Sequence, residues 1–198
     1  NFRGLMKASQ TSGIPMSRYV FNSLVVTLSD VLLSIVLSTT AGFALSKLKF
    51  RGKEALMEIN NMALMFVPVA VMIPRYLVID TLNITNNYLA HILPLLAMPV
   101  SLFLVKQFID QIPDALIDAA YMDGATDFVV YRRIIMPMIR PAIATAAILS
   151  FQQVWANVES SNLYMSEDGL RTLAFYMNTL ANANNTVAGQ GIAAAATL

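Results

Sequence analysis

Apolar positions in this chain fall into long runs rather than short stripes. Residues 20–46 contain a single charge, Asp30; residues 62–79 contain one, Arg75; residues 88–105 and 141–158 contain none. A helix needs about 20 apolar residues, range ~17–25, to cross the hydrocarbon of a bilayer. The pattern therefore predicts spans at about 20–46, 62–79, 88–105 and 141–158. A fifth apolar stretch, 187–198, is too short to cross and is still apolar at Leu198. With the start at Asn1, it reads as the cut end of a further span in a fragment of a longer polypeptide. Strands of a membrane barrel would alternate apolar and polar over ~10 residues, whereas LLSIVL and AIATAAIL are continuous. The expected fold is an all-α integral membrane protein, a polytopic helical bundle forming one transmembrane domain over 1–198. Pro68, Pro74, Pro94 and Pro99 lie inside the runs. Proline removes a helical hydrogen bond and kinks the chain; such bends serve either packing or a pathway between helices.

Composition agrees with this and removes other classes. Of 198 residues, 57% are apolar and 13% charged, against about 45–50% and ~25% in soluble domains. A net charge of +1 supplies no field to hold nucleic acid. The absence of cysteine and a single histidine exclude disulfide frameworks, thiolate metal sites and cysteine nucleophiles. There is no G-x-x-x-x-G-K-[ST] loop to cradle nucleotide phosphates, no G-x-S-x-G elbow and no H-E-x-x-H pair. Lys47, Lys49, Arg51 and Lys53 follow the first run, and Lys106, Arg132, Arg133 and Arg140 lie between the third and fourth. These eight of the 13 basic residues fall on one side, two crossings apart. The positive-inside rule makes that side cytoplasmic, with residues 79–87 and 160–185 outside.

The cytoplasmic segment at about 113–137 carries most of the information. Pro113 suits a helix start, with Asp114 and Asp118 near the favourable end of the helix dipole. Gly124 after Asp123 is a helix stop, and Thr126 or Asp127 can cap a second helix. That helix would place Phe128, Val129, Tyr131, Ile134 and Ile135 on a broad apolar face and end at Pro137 and Pro141. Ala119, Ala120 and Ala125 are small enough for another surface to approach. On these grounds alone the segment is either a docking element or a hairpin lying on the membrane surface.

The order Asp118-Ala119-Ala120, Asp123-Gly124-Ala125, then Ile134-Ile135-Met136-Pro137 resembles the coupling loop of inner-membrane permease subunits of binding-protein-dependent ABC importers. That family's pattern is E-A-A, two residues, D-G-A, then I-x-L-P; Asp118 stands here for Glu and Met136 for Leu. Gly42-Phe43-Ala44 with the basic loop 47–53 is similar to the carbohydrate-uptake branch. Residues 166–177 resemble an outer loop of the smaller permease subunit of maltose-type transporters. The resemblance implies a coupling helix-turn-helix between two spans, in which Asp118, Ala119, Ala120, Asp123, Gly124, Ala125, Ile134 and Pro137 engage a cytoplasmic ATPase. It implies a multi-pass subunit of the cell inner membrane that moves a sugar or related solute. The expected partners are a second permease subunit, two ATPases and an extracytoplasmic solute-binding protein. No cofactor is expected on this chain, because ATP and Mg belong to the ATPase, and no enzyme activity. The alternatives are a stand-alone channel or secondary transporter, or a permease for a non-sugar solute.

Residues facing the solute are less plainly marked. Gln153 and Asn157 recur at helical spacing, with Trp155 and Glu159 on an adjacent arc. Amides, a carboxylate and an aromatic suit a sugar's hydroxyls and apolar ring face. The same residues also suit glue between helices and an interfacial Trp belt. Asp30, ionisable within a span, is a functional candidate by default, set in the outer half where water or a neighbouring group could meet it. His91 reads as packing rather than as a proton carrier.

Overall fold

Burial along the first helix, α1 (Met16–Lys47), is inside out. Asn22, Ser23, Thr27, Asp30, Ser34, Ser38 and Thr39 are buried, while Phe21, Leu24, Leu28, Leu32, Leu33, Val36 and Leu37 are exposed. A helix in water would do the reverse; this one turns its apolar face to hydrocarbon and its hydroxyls and amides to protein. Its 32 residues extend for about 48 Å at 1.5 Å each, enough to cross a bilayer. Ser38, Thr39 and Thr40 return their hydroxyls to carbonyls three or four residues earlier, so their polar atoms need no water.

The computed structural model describes residues 14–65 and 68–183. The apolar stretch 187–198 lies outside them. After α1 come α2 (Lys53–Met65), a 3-10 turn (Pro68–Val71), α3 (Met72–Thr81), α4 (Tyr88–Leu96) and α5 (Pro99–Asp110). Then follow α6 (Asp114–Met122), α7 (Asp127–Val130), a π-helical turn (Tyr131–Ile135), α8 (Met136–Met138), α9 (Arg140–Trp155), α10 (Glu159–Tyr164), a 3-10 turn (Asp168–Leu170) and α11 (Leu173–Ala183).

Two of the predicted runs are subdivided, and proline explains both. Residues 62–79 are shared among the end of α2, the 3-10 turn opening at Pro68, and α3. The run 88–105 breaks before Pro99, which opens α5 at a position where its missing N–H costs nothing. Met98 is correspondingly extended, at φ −100° and ψ 97°, as the residue before a proline prefers. Among the described helices, α1 alone is long and apolar enough to cross a membrane unbroken. The bent pairs α4–α5 and α7 to α9 reach that length jointly, the latter turning by 78° at Ile139.

The helices form two compact units: Asn1–Ser29, Met72–Pro94 and Gln153–Leu198 make one, and Asp30–Val71 with Leu95–Gln152 the other. The first packs Ile79, Ala90, Tyr164 and Met165 together. Polar anchors supplement that small core. Asn22 donates its amide to the carbonyls of Gly169 and Arg171, both at 2.9 Å, and accepts from Tyr88 Oη at 2.7 Å. Ser23 Oγ accepts the Leu173 N–H, and Tyr19 stacks on Tyr176 at 4.7 Å. His91 is buried between Ser160 Oγ at 2.8 Å and the Leu170 carbonyl at 3.0 Å. A carbonyl only accepts, so the proton sits on Nε2 and Nδ1 takes the Ser160 hydroxyl. Both ring nitrogens are thereby used in tying α4 to Ser160 and Leu170.

The second unit buries Phe43, Val105, Ile109, Ile117, Val130, Ile135 and Ile139 in one cluster. Gly42 makes the close approach of α1 to α5 possible: a Cβ there would lie 3.0 Å from Val105 Cγ1. Gly42→Val should therefore lower stability by about 1–3 kcal/mol through overpacking. Val105→Ala in the same chain should recover part of the loss. Thermal unfolding of the two single variants and the double variant in detergent checks this, and strict additivity would contradict the contact.

Candidate functional site

The segment from α6 to α8 is fastened to the end of α1. Lys47, the last residue of α1, sends its ammonium to the Ile112 carbonyl and to Asp114 Oδ1, both at 2.7 Å. Ser46 donates to Asp110, which also receives Lys106 Nζ at 2.6 Å. Behind this polar collar, Ile117 of α6 and Val130, Ile135 and Ile139 join the core cluster. Tyr131 reaches Thr39 Oγ1 at 2.8 Å and packs its ring 5.6 Å from Phe43.

The turn between α6 and α7 is set by Gly124. Its φ is +79°, a conformation other residues adopt only under strain. Ala125 N–H bonds the Ala120 carbonyl at 2.9 Å and Gly124 N–H bonds that of Tyr121 at 3.0 Å. These are the two bonds of a Schellman termination, which satisfy carbonyls that a helix end otherwise leaves unpaired. Thr126 occupies the N-cap position of α7 without a side-chain cap bond. Tyr121 Oη donates to Asp127 Oδ1 at 2.8 Å instead, bracing the turn from outside. That bond, by stabilising the neutral phenol, raises the Tyr121 pKa above its ordinary value.

Asp118, Ala119, Asp123 and Gly124 are exposed, and Ala120 and Ala125 half-buried. Ile134 is half-buried and Pro137 exposed. Leu116, Tyr121, Met122 (88% exposed) and Phe128 (65% exposed) on the same two short helices are exposed apolar side chains. Phe128 was expected on an apolar face; Leu116 and Met122 were not singled out. Their signal is visible afterwards: with Ile117 committed to the core, neighbouring apolar positions on the other arc of α6 have no internal partner.

The proposed solute-facing residues do not share one helical face. α9 stops at Trp155 and α10 starts at Glu159. Val158 occupies the N-cap position of α10 without a side-chain cap bond, and Asn157, just before it, accepts the Ser160 N–H on its Oδ1 at 2.9 Å. Glu159 pairs with Arg75 at 3.3 Å, both side chains about a quarter exposed. Gln153 is exposed, and Trp155 is half-buried. Arg171 pairs with Asp168, donates to the Met165 carbonyl and lies 4.5 Å from the Phe175 ring centroid. Asp30 is fully buried, and neither carboxylate oxygen has a hydrogen-bond partner among the described residues. It is withdrawn from water, not bathed by it.

Comparison with known proteins places these features in context. Residues 34–198 match the family model described as binding-protein-dependent transport system inner membrane component. The chain is 32% identical over 160 residues to the probable ABC transporter permease protein YurM of Bacillus subtilis, covering 80% of this chain and 53% of YurM. It is 30% identical over 161 residues to the sulfoquinovosyl glycerol transport system permease protein SmoH of Agrobacterium fabrum, covering 80% of this chain and 56% of SmoH. The chain thus spans about half the length of these relatives. A crystal structure of a bacterial ABC transporter involved in the import of the acidic polysaccharide alginate superposes with a TM-score of 0.79 at 22% identity. It covers 89% of this chain and 62% of that one, and shows the same helical fold.

The Lys47–Asp114 bond has a pH consequence. The hydrogen bond and charge of Lys47 hold the Asp114 carboxyl below its ordinary value of 3.8. A depressed folded-state pKa stabilises fully above the ordinary value, and the contribution disappears as pH falls through the lowered one. Thermal unfolding of Asp114→Asn should therefore differ from wild type by a constant amount above about pH 5. The difference should vanish in strong acid. A gap that widened on acidification would contradict the pairing.

Proposed function

Because the chain belongs to the family of inner-membrane components of binding-protein-dependent transport systems, we propose that it forms part of the pathway of an ATP-driven importer for a sugar or related solute. The observation that carries this reading is the exposed turn at Gly124. It is a hydrogen-bonded, small-residue turn beside exposed Leu116, Met122 and Phe128, and α6 is fastened to α1 through Lys47. Such an element can pass a push from a docked protein to a membrane span without dissipating it in loop motion. Asp118, Ala119, Ala120, Asp123, Gly124 and Ala125 would meet the ATPase, with Ile134 and Pro137 behind them. ATP and Mg would be held by that partner chain.

The sugar assignment is supported by relatives: SmoH is named for sulfoquinovosyl glycerol, and the superposed structure is of an alginate importer. The remaining partners would be a second permease subunit and an extracytoplasmic binding protein, which selects the solute. Among the four residues considered for the solute path, Gln153 is the best placed to contact it. Glu159 and Asn157 are already engaged with Arg75 and with the start of α10.

Placement is tested by labelling, since the chain has no native cysteine. Lys49→Cys and Asp127→Cys should react only with reagents that enter the cytoplasm, and Ser166→Cys with impermeant reagent from outside. Outside labelling of Lys49→Cys would overturn the orientation.

Coupling is tested at the turn. A Cβ at Gly124 would meet no atom within 4 Å, so Gly124→Val acts through backbone strain alone, about 1–2 kcal/mol. Ala120→Trp leaves that conformation intact and obstructs docking. Each should abolish solute uptake while leaving the subunit in the membrane, and each should release the ATPase from the solubilised complex. Normal transport by both variants would refute the coupling role, and ATP turnover by this subunit alone would refute the proposed division of labour.

A further inference from the structure

The basic loop after α1 is only partly used by the coupling contact. Lys47 is committed to Asp114 and the Ile112 carbonyl, and Lys53 donates to the Ser46 carbonyl at 2.7 Å. Lys49 and Arg51 are exposed, and among the described residues neither has an ion-pair partner. They line an open cleft of about 680 Å³ formed by Leu48 to Ala55. Glu54 is the one acidic residue lining this cleft; Lys49 and Lys53 also border an adjoining cleft with Asp114 and Asp118, which leaves Arg51 as the cation furthest from compensation. Phe50, 42% exposed, stands between the two free cations.

The cleft opens at the base of α2, whose 13 residues include none that is buried. Leu56, Ile59, Met62 and Met65 are exposed. In a membrane component such a helix presents its apolar side chains to hydrocarbon. Its first turn also carries N–H groups with no intrahelical acceptor, a setting that favours an anion. Cations, an interfacial aromatic and an apolar helix thus follow one another in the order of a phospholipid's phosphate, glycerol and acyl chains. Uncompensated basic side chains beside a span are attracted to anionic headgroups.

We propose that the cleft at Lys49, Arg51 and Lys53 binds the headgroup of an anionic phospholipid, whose acyl chains lie along α2. The bound lipid sits beside the Lys47–Asp114 fastening of the coupling segment, so it would stiffen the loop from which that segment is held. The inference rests on Lys49 facing the cytoplasm, and the cysteine labelling above checks that separately.

The test uses the full transporter complex in detergent. Native mass spectrometry compares retention of phosphatidylglycerol with phosphatidylcholine of the same chains. Wild type should prefer phosphatidylglycerol. Lys49→Gln/Arg51→Gln should weaken that preference by roughly 10–30-fold, on the scale of two juxtamembrane cations. The charge-preserving Lys49→Arg/Arg51→Lys should keep it. Arg132→Gln/Arg133→Gln, which removes the same charge elsewhere on that side, should also keep it. The proposal is overturned if Lys49→Gln/Arg51→Gln retains the wild-type preference, or if the Arg132/Arg133 variant loses it equally, since bulk charge would then suffice. Displacement of the lipid by an equal concentration of glycerol phosphate would also overturn it, because the cleft would then be a free-anion site. So would protection of Lys49→Cys by a protein partner that fills the cleft.

Discussion

The structure depends on one constraint, the absence of water around its helices. In hydrocarbon each backbone N–H and C=O must find its partner within its own segment, and polar side chains must turn toward protein. α1 obeys both conditions. Its seven buried polar residues from Asn22 to Thr39 face inward while Leu24, Leu28, Leu32, Leu33 and Leu37 face out, and Ser38, Thr39 and Thr40 donate hydroxyls to their own helix. The polar side then becomes the means of assembly. Asn22 and Ser23 hold residues 168–173 through the backbone groups of Gly169, Arg171 and Leu173. Thr39 and Lys47 hold Tyr131 and the Ile112 carbonyl. One helix organises each unit through the face that a soluble protein would expose.

Proline works within the same constraint. Where a span must break, the lost hydrogen bonds have to be recovered locally. Pro68 opens a 3-10 turn and Pro99 opens a helix, positions at which proline's missing N–H is least costly. The π-helical turn at Tyr131–Ile135 and the 78° bend at Ile139 change the chain's direction between α6 and α9. They also bring Ile135 and Ile139 into the core. Ile117 and Val130 of α6 and α7 are buried in the same cluster as Phe43 of α1, while Leu116, Met122 and Phe128 are exposed.

The local form of the segment at 113–137 was largely legible beforehand. Pro113, Gly124 and Thr126 mark a start, a stop and a restart by local stereochemistry. Each occupies the corresponding position: Pro113 and Thr126 precede helices, and Gly124 has φ +79°. The solute-facing residues were less legible. Helical spacing across 153–159 assumes one continuous helix, whereas the helix stops at Trp155 and the next starts at Glu159, with the Asn157 side chain bonded to the Ser160 N–H between them. An asparagine's side chain can cap, bridge helices or bind a ligand, and nothing in its neighbours along the chain says which. The same holds for Glu159, whose partner Arg75 lies 84 positions away.

By itself, then, the sequence determined that this chain is a helical membrane component and that a helix stops at Gly124. Those properties are local: an apolar run, a residue without a Cβ. Tertiary structure alone decided which face of α1 is buried, that Asp30 is withdrawn from water, and that His91 is held between Ser160 and Leu170. It also decided that Lys47 is spent on Asp114, while among the described residues Lys49 and Arg51 form no ion pair. The reason is physical. A charge or hydroxyl has many equivalent partners in an unfolded chain, and only the packing of distant helices makes one of them the nearest.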